Sequence, residues 1–403
     1  MRPAVLFIIL TVMIDAMGIG LIIPVMPDLI REIDKGNLSE AAIWGGILAT
    51  TFALMQFAFG PFIGGLSDRF GRRPVLLLSL TVMALDYVVM ALADSIWLLG
   101  LGRVIGGITA ATGATAAAYM ADISRPEDRA ANFGLIGAGF GAGFVLGPVA
   151  GGLLAEYGTR APFWAAAGLA AANVLFGWFV LKETVTDATR RAFSWRRANP
   201  LGAVKALGEL PGITQLLFVY FLYHVAFAVY PSVWSYFGLA QFDWSPKLIG
   251  LSLALFGVMM AMVQGGMLRL VVHRLGEAGT ILLGHLFSIA GFAALGFVTS
   301  GTVALILTPL AALGGVIPPA LQAMMSRVIA DDAQGELQGA LTSAAALAMV
   351  LSPMVMTATF AAFTKPDAGM TLPGAPFLLA MLLAIMGMAV FALRPRVVTQ
   401  SGR

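Results

Sequence analysis

Cysteine is absent from the 403 residues, which excludes disulfides, thiolate nucleophiles and cysteine-based zinc sites. Histidine is nearly absent: His224, His273 and His285 share no ligand spacing, so no histidine-rich metal centre is expected. Charge is scarce, at 11% of residues, against about a quarter in soluble domains. There is no GxxxxGK[ST] phosphate loop for ATP-driven work, and no nucleophile and base set stands out as an enzyme would require.

What is present is apolar. Hydrophobic residues make up 59% of the chain, and the mean hydropathy is +0.89, which places it among membrane proteins. The net charge of +3 does not point to nucleic acid, because the basic residues fall in short groups between apolar runs. Crossing a hydrocarbon core takes roughly 20 apolar residues. Twelve such runs lie near 5–27, 43–66, 75–94, 97–122, 132–156, 161–181, 213–238, 246–272, 278–299, 301–329, 339–364 and 374–394. GGVIPPA, residues 314–320, is expected to carry a kink. The first run is too long for a cleavable signal peptide and carries Asp15, so it is expected to remain as a span.

Lysine and arginine set the expected orientation. With the N-terminus inside, the cytoplasmic side receives eighteen: Arg2, Arg69, Arg72, Arg73, Arg125, Arg129, Lys182, Arg190, Arg191, Arg196, Arg197, Lys205, Arg269, Arg274, Arg327, Arg394, Arg396 and Arg403. The other side receives five, Arg31, Lys35, Arg160, Lys247 and Lys365, so both termini are expected in the cytoplasm.

The polar, basic stretch 182–212 divides the chain into six spans and six, giving domains 1–181 and 213–403. Trp195 among arginines suits either a membrane-surface segment or a solvated linker. LSDRFG (66–71) answers VVHRLG (271–276), Gly134 answers Gly339 and Pro148 answers Pro353, each pair 205 residues apart. A constant offset suggests duplication of a six-span unit. The expected fold is an all-α membrane protein of twelve transmembrane helices in two pseudo-symmetric six-helix bundles, with a site near the midplane at their interface.

An aspartate in TVMIDAMGIGLIIP (11–24) is costly: a charge at a helix centre costs about 2.5–3.5 kcal/mol on insertion scales, so intramembrane carboxylates are functional hypotheses by default. Asp15 and Asp86 are the two acids well inside spans, each about eleven residues in, or roughly 16 Å deep. Arg103 is the one basic residue deep in any run. A carboxyl group in hydrocarbon can be neutralised by a proton, while a nearby arginine favours the ionised form. A partner that changes with conformation would couple proton binding to access; a fixed structural ion pair is the alternative.

The loop GGLSDRFGRRP (64–74) has Gly64 and Gly71 for close helix approach, Asp68 for a helix end or an arginine, and Arg69, Arg72 and Arg73 to hold one side of the membrane. It reads as a conformational latch or as a topogenic turn. GAGFGAGFVLGPVAGG (137–152) fits a loose dinucleotide pattern, but no strand precedes it; Gly143, Gly147, Gly151 and Gly152 suit close helix contact and Pro148 a bend. Tyr220, Tyr223, Phe227, Tyr230, Trp234 and Phe237 share one helix face beside His224, fit to line a drug cavity or to pack. Gln56 and Gln264 are candidate polar contacts to substrate or between helices.

The string 64–74 resembles the signature loop of the major facilitator superfamily. The sequence around Asp15, ALMQ (53–56), the run through Asp86-Tyr87, GRVIGGITAATGA (102–114), GPVAGG (147–152) and QGELQGAL (334–341) narrow the resemblance to tetracycline-resistance efflux pumps of the TetA type. The resemblance implies proton-driven drug export from the bacterial cytoplasm across the inner membrane, and makes 143–152 an antiporter motif that seals against proton leak.

The pattern departs from such pumps in the second half, where their histidine in span 8 and acid in span 9 align with Met260 and Ser288. Neither carries a proton, so coupling is expected to run mainly through Asp15 and Asp86, with His224 as a further candidate. The departure also weakens the case for a Mg2+-chelated tetracycline, and Met260 suits a promiscuous apolar surface. The expected function is proton-coupled efflux of a small lipophilic drug by a monomer in membrane lipid, with the proton gradient as energy source and no bound cofactor or metal. The alternatives are transport of another metabolite and a non-transporting membrane sensor.

Overall fold

The computed structural model describes residues 3–110, 112–187, 190, 191, 193, 213–330 and 333–394. Trp195, Arg196, Arg197 and Lys205 of the joining stretch, and Arg2, Arg396 and Arg403 of the orientation count, lie outside the described residues.

The described residues form helices and no strands. Span 1 is Pro3–Ile22, span 2 Leu38–Phe70 and span 3 Arg72–Leu92. Span 4 is two helices, Ile96–Thr109 and Thr112–Ile123; span 5 is Arg129–Leu154 and span 6 Ala161–Val180. Span 7 is Thr214–Phe227 and Val229–Phe242, span 8 begins at Pro246, span 9 ends at Phe297, and span 10 holds Gly301–Ala312 and Ile317–Val328. Spans 11 and 12 are Gln334–Ala362 and Ala375–Ala392.

Among the described residues, eleven helical stretches are long and apolar enough to cross a membrane, and one of them, Pro246–Phe297, has 52 residues. At 1.5 Å per residue that is about 78 Å, more than two hydrocarbon cores of about 30 Å. It reverses at Gly276, whose φ of 67° only a glycine adopts easily. Eleven stretches therefore make twelve crossings.

Several ends differ from the sequence expectation. Span 1 stops at Ile22 instead of 27, because Pro24 and Pro27 cannot continue a helix; Pro27 instead opens a short amphipathic helix, Met26–Asp34. Span 2 starts earlier than 43, since Asn37 caps it: its side chain accepts from the Glu40 amide at 2.9 Å while Glu40 accepts from the Asn37 amide at 3.3 Å. The expected kink in span 10 is a tight turn at Leu313–Val316. Span 8 contains a π-helical turn at Val263–Met267, where Gly265 and Gly266 weaken the helix.

The two halves meet at the end opposite the 64–74 loop. There the hydroxyls of Ser39 and Thr364 lie 2.9 Å apart, Ser235 donates to the Ile23 carbonyl at 2.9 Å, and Lys247 pairs with Glu156 at 2.9 Å. Gly46 of span 2 sits directly on Thr357 of span 11, and Gly250 of span 8 on the Pro148 carbonyl of span 5. At the basic end the same four spans run apart: β-carbons added at Gly64, Gly134, Gly265 or Gly339 would meet nothing within 4 Å. The molecule is shut at the far end and open at the basic end.

Candidate functional site

Asp15 shares its helix face with Thr11 and Gly18, at steps of four and three. Thr11 exchanges hydrogen bonds with Asn173 of span 6, the Asn173 amide donating at 3.1 Å, and Gly18 lies beneath the Tyr87 hydroxyl of span 3. Asp15 therefore points into the first bundle. Its Oδ1 is buried with no hydrogen-bond partner, as is Oδ1 of Asp86. Buried acceptors left without donors are costly, so both carboxyls are candidates for a functional role.

Asp86 in span 3 faces Arg103 in span 4 at 3.8 Å, both almost fully buried. The Arg103 guanidinium also stands 5.2 Å over the Phe52 ring of span 2 and contacts the Met90 sulfur. Room for the carboxylate comes from glycines: β-carbons at Gly102 and Gly106 would lie 2.8 and 2.6 Å from its two oxygens. Tyr87, next to Asp86 in span 3, reaches span 1 with its hydroxyl over Gly18, one turn from Asp15. The structure thus brings Asp15, Asp86 and Arg103 together inside one half.

The second half carries none of these charges. At 205 residues on, Asp15 becomes Tyr220, Asp86 becomes Gly291 and Arg103 becomes Thr308. The contact itself persists with sizes exchanged: Asp86 against Gly106 is matched by Gly291 against Ala311, whose Cα would lie 3.4 Å from a β-carbon added at Gly291.

The 64–74 loop is centred on Arg72, which pairs with Asp68 at 2.5 Å, with Asp122 at the end of span 4 at 3.3 Å, and donates to Ser67 at 2.6 Å. The sequence reading missed Asp122 and Glu183. Glu183 accepts from the Arg72 and Arg73 amides at 2.9 and 3.2 Å, capping the start of span 3. Gly71 is needed twice, for its φ of 110° and because a β-carbon would collide with that carboxylate. Arg69 is exposed over Phe70, and Gly64 meets nothing. Every described partner of this loop lies in the first half or in the stretch that follows span 6.

Arg72 and Asp122 have counterparts at Glu277 and Arg327, again 205 residues on, and these pair at 2.8 Å. The charges are exchanged: the first half has the cation at the start of its third span, the second half the anion. Gly71 and Gly276 correspond as well, both with positive φ.

In span 5, Gly139, Gly143, Gly147 and Gly151 each sit on a span 1 backbone carbonyl, those of Ile9, Met13, Met17 and Leu21. The offset is 130 residues in every case, so the two helices run parallel and in register. Gly152 faces the other half, 2.6 Å from the Pro246 carbonyl as measured from an added β-carbon, while the Pro148 carbonyl receives Gly250. Span 5 is therefore the layer between span 1 and span 8.

The aromatic stripe divides. Tyr230, Trp234 and Phe237 are packed inside the second bundle: the Tyr230 ring lies tilted against Phe256 at 4.6 Å and Phe237 meets Phe377 edge to face at 4.9 Å. Trp234 donates to Ser252 at 2.8 Å. Tyr220, His224 and Phe227 are half-buried, His224 lying 4.3 Å from Tyr220 and 5.4 Å from buried Tyr223. Gln56 donates to the Ala110 carbonyl at 3.3 Å, satisfying the break in span 4. Met260 rests on Gly315 of span 10, and Gln264, exposed in the π-helical turn, approaches its sulfur at 3.5 Å. No group of three or more His, Asp or Glu side chains fit for a metal occurs among the described residues.

The family model described as Major Facilitator Superfamily matches residues 8–353. The chain is 43% identical to the class C tetracycline resistance protein of Escherichia coli, over 89% of this chain and 90% of that one. It is 40% identical to the class G tetracycline resistance protein of Vibrio anguillarum, over 90% and 91%. Among solved structures, the human organic anion transporter MFSD10 (TETRAN) superposes with a TM-score of 0.71 at 25% identity, covering 96% of this chain and 99% of that one. With its all-helical, twelve-crossing architecture and these matches, the chain belongs to the Major Facilitator Superfamily, a family of transporters rather than enzymes.

Proposed function

We propose that this protein exports lipophilic drugs in exchange for protons by alternating access. Membership of the family and the resistance-named relatives support drug efflux. Proton exchange rests on one observation: two carboxyls, each with a buried oxygen lacking any donor, stand in the same bundle as Arg103, which faces one of them at 3.8 Å. Rocking of the bundles changes which end has access to them, and the proton gradient supplies the energy. The basic end is cytoplasmic on this reading, which places the protein in the bacterial inner membrane with both termini in the cytoplasm and the substrate entering from the open end.

In proteoliposomes with an imposed pH gradient, drug movement follows the protons, and Asp15→Asn abolishes the coupled movement. Flux that ignores both the gradient and Asp15 removes the antiport assignment. The substrate range is wider than tetracycline on this reading, because the Met260 thioether packs against Gly315 and offers no titratable group. A susceptibility panel in cells lacking their own pumps, tetracycline included, decides it: resistance confined to tetracycline refutes the wider range.

A further inference from the structure

Spans 3 and 6 border a groove of about 570 Å³ near the basic end, on the outer face of the first bundle. This is within the size range of small-molecule sites, about 300–1,000 Å³. Its walls are Pro74, Leu77 and Leu78 on one side and Val174 and Trp178 on the other. Leu78 and Trp178 are 64% and 61% exposed, as lipid-facing side chains are. Tryptophan here fits the headgroup level of a bilayer.

One cation stands at the head of this groove. Arg73 donates from Nη2 to the Trp178 carbonyl at 2.9 Å and lies 5.5 Å from the Trp178 ring. Its Nε is buried without a partner. Arg72 beside it has two carboxylates, whereas Arg73 has none within ion-pair distance among the described residues. Glu183 also borders the groove, but its oxygens are taken: one accepts from the Arg72, Thr184 and Val185 amides, the other from the Arg73 amide. A partly desolvated cation above an apolar, lipid-facing channel lacks an anion whose tail is hydrocarbon.

The geometry points to a binding site for an anionic glycerophospholipid, its phosphate on Arg73 and one acyl chain between spans 3 and 6. The lipid joins Arg73, in the first turn of span 3 that Glu183 caps, to the last turn of span 6.

The test is native mass spectrometry of the full chain released from detergent with equal amounts of phosphatidylglycerol, phosphatidylethanolamine and phosphatidylcholine of matched chains. Phosphatidylglycerol is retained preferentially, and Arg73→Gln lowers that retention roughly fivefold, as expected for one basic residue at a lipid surface. Leu78→Trp, which fills the channel and leaves the charge, lowers it as well and serves if Arg73→Gln does not fold. Arg269→Gln, at the basic end of the other half, leaves retention unchanged. Equal retention of the three lipids, preference for phosphatidylethanolamine, undiminished retention in Leu78→Trp or in folded Arg73→Gln, or an equal loss in Arg269→Gln overturns the site.

Discussion

The α-carbon of Gly106 lies so close to the Asp86 carboxylate that a methyl group there would stand 2.6 Å from an oxygen. Span 4 can approach span 3 at this depth only because position 106 has no side chain. Gly106→Ala is expected to displace the carboxylate from Arg103 and to destabilise the first bundle by about 1–3 kcal/mol, as overpacking does. Gradient-driven transport falls more than the thermal midpoint suggests; transport and melting temperature both equal to wild type would show that the site has slack.

The exchanged ion pairs make a second prediction. Reversing one partner, Glu277→Arg, places two cations together, and adding Arg327→Glu restores opposite charges. The double variant is expected to recover activity lost in the single one, with a coupling of about 0.2–1 kcal/mol, since Arg327 is 76% exposed. Purely additive losses in the cycle would mean the pair has no role.

The closed end can be locked. The Ser39 and Thr364 hydroxyls lie 2.9 Å apart across the two halves, which makes this pair the choice for an engineered crosslink. The chain has no cysteine, so Ser39→Cys with Thr364→Cys gives a background-free crosslink. Oxidation is expected to stop transport and reduction to restore it. Full turnover with the bridge formed would mean that this end never opens.

Glu32, in the short helix outside the spans, accepts from Thr159 at 2.6 Å and from Arg160 at 3.1 Å, and these contacts hold its carboxyl below the ordinary range. A depressed value stabilises above the ordinary carboxylate value of 4.5 and is lost as pH falls through the depressed one. Glu32→Gln is therefore expected to melt slightly earlier than wild type at neutral pH, with the gap closing in acid. A gap that widens on acidification would reverse the sign and reject the account.

Much of the architecture was legible because a bilayer imposes a length on every crossing. The twelve runs, the 205-residue repeat and the two intramembrane acids are one-dimensional signals. The breaks were harder: the end of span 1 at Ile22 turns on two prolines inside an apolar run, and the interruption near Ala110 is satisfied by Gln56, 54 residues away. Glu183 and Asp122 were invisible because each lies far along the chain from the arginines it serves. The stripe on span 7 could not be divided by periodicity, since one helix face meets the second bundle's core at Trp234 and a half-open region at His224.

The glycine ladder between spans 1 and 5 restricts how the first bundle moves. Its rungs recur every four residues on both helices, so an axial slip would reseat them only after a full repeat, about 6 Å, and would force carbonyls past α-carbons on the way. Span 1 and span 5 are consequently geared together, and Asp15 is carried with the bundle as cargo on a rigid frame.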